Sequence, residues 1–496
     1  MNSVFAIQDF FHPQISVETQ AFIRIAFGLL MLGTLLWTLP HWRRFFISER
    51  WGGYAQSARD VDFLQNPIVS PLVAALWFLC AALIALGRWS VLASLVNLLL
   101  CRYFFVRMRW KGILRGMGAP GFMAYWLAAA IFLLEYTLYY APNLHSLALL
   151  VLQVDFAFIM LSAGIYKCTA GYRRNHGMEY GMVNPQWGYW GSFYKRLRPS
   201  HWLFRIFNHL AWTTEVVAGV LMLIPQTRFI GGMLILASFI FIATQIRLAL
   251  LCEMVIVCCL IFFHPGSYGE QFLSGLVPAP TLATASTFAI APITNMLLAG
   301  GLWAYLILLP LMHAALFYNF YGRKSLPRSL QRIVEIYTNF FGIIIWRVFS
   351  ADHTCFFIRV YQRWRSVSDG ARTLLSRYGL TGSLRYSHVG ESIVVTTLFT
   401  TLKYYPSNTN LFQERLLRYA RTVACPSDSV LEFEYVKINK AADQYEFSVV
   451  AEYVVDPIAG SVVERTLDDS FSVRAAHAAS PVHEGVRPGS YVPLGR

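Results

Sequence analysis

The chain has 496 residues, 56% apolar and only 14% charged, and its mean hydropathy is positive, whereas a soluble domain carries about 25% charged residues. That composition excludes a wholly soluble protein and sets most of the chain against lipid or other apolar helices. The 41 basic and 27 acidic residues give a net charge of +14, but the basic ones sit in short connections between apolar runs. They suit membrane orientation and anionic lipid, so the bilayer is the expected partner and nucleic acid is not.

The first twenty residues lack a basic region followed by a short apolar core and a small-residue cleavage site, so no removable signal peptide is expected. Apolar runs of roughly 20 residues, the length that crosses a bilayer, fall near 20–40, 67–87, 89–106, 120–141, 145–166, 206–224, 229–245, 247–263 and 292–318. They predict a polytopic α-helical membrane protein with about nine spans. Two neighbouring pairs are separated only by Arg88 and by the turn Gln245–Arg247, so each pair is expected to be a tight helical hairpin. Eight cysteines show no C-x-x-C spacing, and five lie in or beside apolar runs; they read as buried thiols.

Basic connections are held on the cytoplasmic side. Arg43, Arg44, Arg50 and Arg59, then Arg107, Arg109, Lys111 and Arg115, then Lys167, Arg173, Arg174, Lys195, Arg196 and Arg198, and finally Arg247 share one side, against Arg88 and Arg228 on the other. This bias predicts an N-terminus outside and a C-terminal domain in the cytoplasm, as in a bacterial inner membrane.

Four regions are expected: a membrane domain 1–320, an interfacial amphipathic linker 321–354, a soluble domain 355–475 and an irregular tail 476–496. The linker mixes apolar residues with Arg328, Arg332, Glu335 and Arg347, too many charges for a lipid-facing span. The soluble domain is expected to be a small, strand-rich α+β unit. Period-two alternation over Ser392–Thr400, Val430–Val436 and Phe447–Val455 predicts strands, interrupted by one amphipathic helix near Asn410–Val423. No metal-ligand cluster is seen.

Ionisable groups within apolar runs cost several kcal/mol unless paired or hydrated. Here they are Arg24, Arg102, Glu135, Asp155, Glu215, Arg247 and Glu253, with Lys167 at the end of its helix. They read either as functional groups or as pairs that hold the bundle together. Lys167 follows Ser162, Ala163 and Gly164, which permit close helix packing. A poorly hydrated pocket there would leave a neutral amine able to take a proton; the alternative is a flanking lysine that reaches for headgroups. The connection Tyr172–Trp202, dense in Tyr, Trp and His, is long for a compact bundle and is expected to cover a cavity at the membrane surface.

The phrase Ala163-Gly164-Ile165-Tyr166-Lys167, then Gly177-Met178-Glu179-Tyr180, then His201-Trp202 resembles the stretch A-G-V-K-K, S-M-E-Y, H-W of the vitamin K-dependent γ-carboxylases. Their broader relatives, the horizontally transferred transmembrane (HTTM) domain proteins, are also similar in Phe22-Ile-Arg-Ile-Ala-Phe-Gly-Leu-Leu, in the Glu215 helix ending at Pro225 and in Trp346-Arg-Val-Phe-Ser. The resemblance implies that Lys167 matches the lysine associated with deprotonating the vitamin K hydroquinone, with Glu179, Tyr180, His201 and Glu215 as substrate-binding candidates and a quinone or hydroquinone as the implied small molecule. Histidines that the carboxylases carry in an earlier and a later span are missing from Gly118–Tyr125 and Phe239–Gln245, where Ile240 is the best later match. Two functions are therefore expected: an enzyme using Lys167 as base on a quinol-like amphiphile, or a non-catalytic accessory subunit packed in a larger redox or pigment-binding membrane complex.

Overall fold

A computed structural model describes residues 12–55, 62–106, 119–174, 177–276, 292–322, 324–346, 354–365, 372–375, 387–404, 408–423 and 426–467. The expected basic stretch Arg107–Lys111 and the residues Arg59, Arg115, His176, Arg347 and Cys425, with the tail 476–496, lie outside the described residues.

The membrane domain contains α1 (Val17–Thr38), α2 (Val69–Leu86), α3 (Ser90–Cys101), α4 (Ala119–Tyr140), α5 (His145–Thr169), α6 (Met178–Val183), α7 (Trp202–Leu223), α8 (Arg228–Gln245), α9 (Leu251–Cys259) and α10 (Pro292–Tyr321). Among the described residues seven helices are long and apolar enough to cross a membrane: α1, α2, α4, α5, α7, α8 and α10 with their short extensions. They mark an integral membrane protein. Of the nine apolar runs expected to span, the remaining two, Ser90–Val106 and Leu251–Phe262, are apolar helices that are shorter among the described residues. At 1.5 Å per residue a helix needs about 20 residues to cover the ~30 Å hydrocarbon core. The π-helical turn Arg102–Val106 is the last described part of the first of these, and the second starts only after the non-helical stretch following α8.

The tight hairpin at Arg88 is present. Gly87 closes α2 at φ 69°, and a Cβ there would meet the Arg24 guanidinium at 2.7 Å. Arg24 donates to the carbonyls of Ile84 and Ala85, satisfying acceptors that a helix end leaves open. Its Nε lies 3.8 Å from Glu135, which also accepts from Gln20 at 3.0 Å. These buried charges tie α1, α2 and α4 together. Five described cysteines, Cys80, Cys101, Cys252, Cys258 and Cys259, are buried free thiols.

After α10 the chain turns back. α11 (Arg328–Phe341) runs beside α10, with Asn319 donating to Gln331 at 2.9 Å and the Tyr305 and Phe341 rings 5.0 Å apart. Tyr305 and Asn319 are separated by about 21 Å of helix. α11 buries Val334 and Thr338 and exposes Leu330, Ile333, Ile336 and Phe340.

The soluble domain follows: β1 (Phe356–Trp364), β2 (Arg372–Leu374), α12 (Ser387–Phe399), α13 (Thr409–Thr422), β3 (Ser429–Lys440), β4 (Tyr445–Asp456) and β5 (Ser461–Thr466). The five strands form one antiparallel sheet in the order β2-β1-β3-β4-β5. Strand alternation turns Leu431, Phe433 and Tyr435 inward and Glu432 and Glu434 to the other face, where Arg359, Arg363 and Arg372 pair with them. The Ser392–Thr400 run is a correction: it is helical, within α12, apart from the closing turn at Thr400. Its β-branched residues suit a strand locally, but Val394, Val395, Leu398 and Phe399 are fully buried at helical spacing, and Phe399 packs on Phe412, Phe433 and Tyr453. The expected helix near Asn410–Val423 is α13.

Candidate functional site

Lys167 lies in the last turn of α5 and Glu215 in the middle of α7. What brings them together is glycine. A Cβ on Gly164 would meet the Val216 nitrogen at 2.7 Å and the Trp212 oxygen at 2.9 Å, and one on Gly219 would meet the Leu161 nitrogen at 2.9 Å. Both obstacles are backbone, so the two helices touch along a line only glycine permits. Lys167 is three residues beyond Gly164 and Glu215 four before Gly219, each one turn from the contact.

Lys167 Nζ donates to Glu215 Oε1 at 2.5 Å, with side chains only 6% and 1% exposed. Glu215 Oε2 is buried and, among the described residues, has no hydrogen-bond partner. The pair is therefore dry, internally neutral and one acceptor short of satisfied. Tyr172, fully buried, holds its ring 5.8 Å from Lys167 Nζ. Burial pushes its phenol well above the usual tyrosine range, with Glu215 adding to the rise, so Tyr172 stays protonated beside the pair. Cys252, at the start of α9, is 2% exposed.

Tyr172 opens the connection that follows α5 and packs against this end of the helix. The site a Cβ of Gly177 would occupy is taken by the Tyr172 ring, and the Met178 amide donates to Asn208 Oδ1 at 2.7 Å. Asn208 lies two turns before Glu215 on α7.

The other sequence candidates fall elsewhere. Glu179, fully buried at the start of α6, faces the soluble domain: Oε1 accepts from the Ser200 amide at 2.8 Å and the Tyr445 hydroxyl at 2.6 Å, and Oε2 from Lys440 Nζ at 2.6 Å. Tyr180 lies under Lys440, with 4.7 Å from its ring centroid to Nζ. His201 caps α7, its Nδ1 accepting from the Leu203 amide at 3.3 Å. Of the residues the resemblance singles out, Lys167 and Glu215 meet, and Glu179 and Tyr180 form a second cluster with Lys440 and Tyr445.

Three further intramembrane charges have partners of their own. Asp155 accepts from Trp126 Nε1 at 2.9 Å and from Tyr305. Arg102 donates to the Asn339 carbonyl at 2.8 Å between the Tyr125 and Phe340 rings. Arg247 donates to the Pro185 carbonyl at 3.1 Å and covers Tyr189.

Sequence reasoning passed over Asn208, Lys440 and Tyr445. Asn208 carried a readable signal, an amide two turns from a buried glutamate; the other two sit in an ordinary hairpin. Among the described residues no group of His, Cys, Asp and Glu is arranged to hold a metal ion. Neither a family model, nor a curated protein, nor a solved structure matches this chain.

Proposed function

We propose that this protein is a membrane enzyme in which Lys167 serves as base toward a quinol or similar amphiphile that enters from the bilayer, as the likeness of residues 163–202 to the vitamin K-dependent carboxylase-like family implies. The observation that carries the reading is the buried Lys167–Glu215 pair with its open Glu215 oxygen. In a dry site the ion pair and its neutral form, amine beside carboxylic acid, are both uncharged overall, and low polarity removes much of the preference for the ionic form. In this reading the Lys167 amine is the base and Glu215 its proton partner. A substrate hydroxyl gives its proton to Lys167 Nζ and becomes a quinolate, held by the ammonium it has just formed.

The sidedness follows from charge. The basic connections that are described pack with the soluble domain: Glu49 pairs with Arg418, and Arg44 covers Tyr419 at 5.0 Å. We assign that side to the cytoplasm, with a bacterial inner membrane as the setting.

Purified protein in nanodiscs, given an isoprenoid hydroquinone, tests the chemistry. Quinolate is oxidised to quinone by dissolved oxygen faster than quinol, so quinone absorbance reports deprotonation. Lys167→Ala is expected to slow it about a hundredfold or more while the protein stays inserted and monodisperse. Full rate in that variant discards the reading.

A second reading, an accessory subunit of a larger membrane complex, is favoured by one feature. Among the described residues α10 is the least buried span, and a Cβ added to Gly300 or Gly301 would meet nothing within 4 Å, which leaves an open notch for another helix. Migration as an isolated monomer after mild-detergent extraction counts against it.

A further inference from the structure

α11 touches α10 at two well-separated places. Gln331, near its start, accepts from Asn319, and Phe341, its last residue, meets the Tyr305 ring. A helix lying flat on the membrane surface would reach α10 at one end only, so α11 stands beside that span. Tyr305 is near the middle of α10, which places Phe341 deep and Arg328 at the membrane surface. The 14 residues of α11 cover about 21 Å, less than the ~30 Å hydrocarbon core. The helix stops at Gly342, φ 75°, where the amides of Gly342 and Ile343 both reach the Thr338 carbonyl. Arg102 fixes the deep end, donating to the Asn339 carbonyl at 2.8 Å with its guanidinium 5.7 Å from the Phe340 ring centroid.

The side of α11 turned away from α10 is ordered by depth. Arg328, Arg332, Ile336 and Phe340 recur at every fourth position and so form one row on the helix, and all four are exposed. Leu330 and Ile333 lie beside the row, and the four apolar side chains are 45–62% exposed, whereas Val334 and Thr338 on the inner side are buried. Glu335, the acidic residue of α11, accepts from Gln331 at 2.7 Å, and neither Arg328 nor Arg332 forms an ion pair among the described residues. Exposed Lys324 precedes them. Along the helix Phe340 is about 12 Å from Arg332 and about 18 Å from Arg328, which brackets the ~15 Å from headgroup to mid-bilayer. Two cations at the surface followed by apolar groups toward the centre match a phospholipid both in charge and in order.

We propose that this row seats one anionic phospholipid of the leaflet at the C-terminal end of α10. Its phosphate lies between Arg328 and Arg332, since guanidinium groups bind phosphate through paired N–H donors. An acyl chain runs along Ile336 and Phe340, with Leu330 and Ile333 beside it. α10 itself exposes Ile307 and Leu311, so the lipid-facing surface continues onto a full-length span. The seat needs α10 to be a span, but it does not depend on the role of Lys167.

Photo-crosslinking of the full-length protein in nanodiscs tests this. The discs are phosphatidylcholine doped with phosphatidylglycerol that carries a diazirine on its acyl chain, and adducts are located by peptide mass spectrometry. Adducts are expected on Leu330–Phe341 at about tenfold or more over the level given by diazirine-bearing phosphatidylcholine at the same fraction, because each basic side chain near the surface favours anionic lipid. Arg328→Gln combined with Arg332→Gln should bring the two lipids level. Arg421→Gln combined with Arg465→Gln removes two exposed arginines of the soluble domain and should leave the preference intact. Equal labelling by both lipids in the unaltered protein means an ordinary lipid-facing surface and overturns the inference, as does a preference that survives loss of both α11 arginines. Adducts absent from α11 mean that something other than lipid covers it, which overturns it too. Should the double variant fail to insert, Arg332→Gln alone decides, with a preference reduced about threefold or more. Lys167→Ala should leave the lipid preference unchanged, so this seat and the quinol chemistry fail by separate results.

Discussion

Removing one member of a buried ion pair strands the other, which typically costs about 3–5 kcal/mol, whereas replacing both with apolar residues is often neutral. Lys167→Met and Glu215→Leu are therefore each expected to lower stability by that amount, and the double variant to recover most of it. Thermal unfolding in detergent measures this. The double variant should nevertheless show no quinol deprotonation, which separates the pair's chemistry from its contribution to the fold. If it retains deprotonation, the pair is structural glue. At this scale the sequence was informative about Lys167 and Glu215, since charges within apolar runs are conspicuous. It said nothing of their meeting, because helix rotation and neighbour choice are set by contacts distant in the chain. Glu179 shows the same limit: its motif was visible, but its partners come from a hairpin whose residues are individually unremarkable.

Two glycines govern how closely α5 and α7 approach, and there a single methyl group matters. Gly164→Ala and Gly219→Ala each force backbone apart, with an overpacking cost of about 1–3 kcal/mol. Both should weaken deprotonation as strongly as loss of Glu215, because they lengthen the 2.5 Å Lys167–Glu215 contact. An alanine variant with normal melting and normal rate would show that the helices have slack.

The β4–β5 turn offers a pH test outside the membrane. Hydrogen bonds from the Ala459 amide first, then from the Ile458 amide, with the nearby Arg365, hold Asp456 below its ordinary value of 3.8. A depressed folded-state value means stabilisation present above pH 3.8 and lost as the pH falls through the lower folded value. Amide exchange at 458–460 should accelerate through that acid range, and Asp456→Asn should flatten the dependence. Element types were largely legible: long apolar runs became helices, and β3 and β4 alternate as strands. Ser392–Thr400 was misread because Ile393, Val394, Val395, Thr396 and Thr397 are β-branched, while the sheet they pack against presents a flat apolar face that only a helix covers with residues on one side.

Among the described residues, two connections of the membrane domain pack on the soluble domain. Arg44, Glu49 and Tyr54 meet Arg418 and Tyr419 on α13, and Asn184 and Gln186 meet β1 and α12. The number of full-length spans was not readable from the sequence, because hydropathy counts residues and cannot see where a helix stops.

α11 carries a topological consequence. It starts next to the C-terminal end of α10, climbs to Tyr305, and Ile343–Trp346 then leads back so that the Trp346 amide meets Ser162 near the Lys167 end of α5. An excursion that departs from and returns to the same surface changes no parity. A reporter fused ahead of Arg328 and another placed after Thr466 must read out the same compartment, however many short helices are eventually counted as crossings.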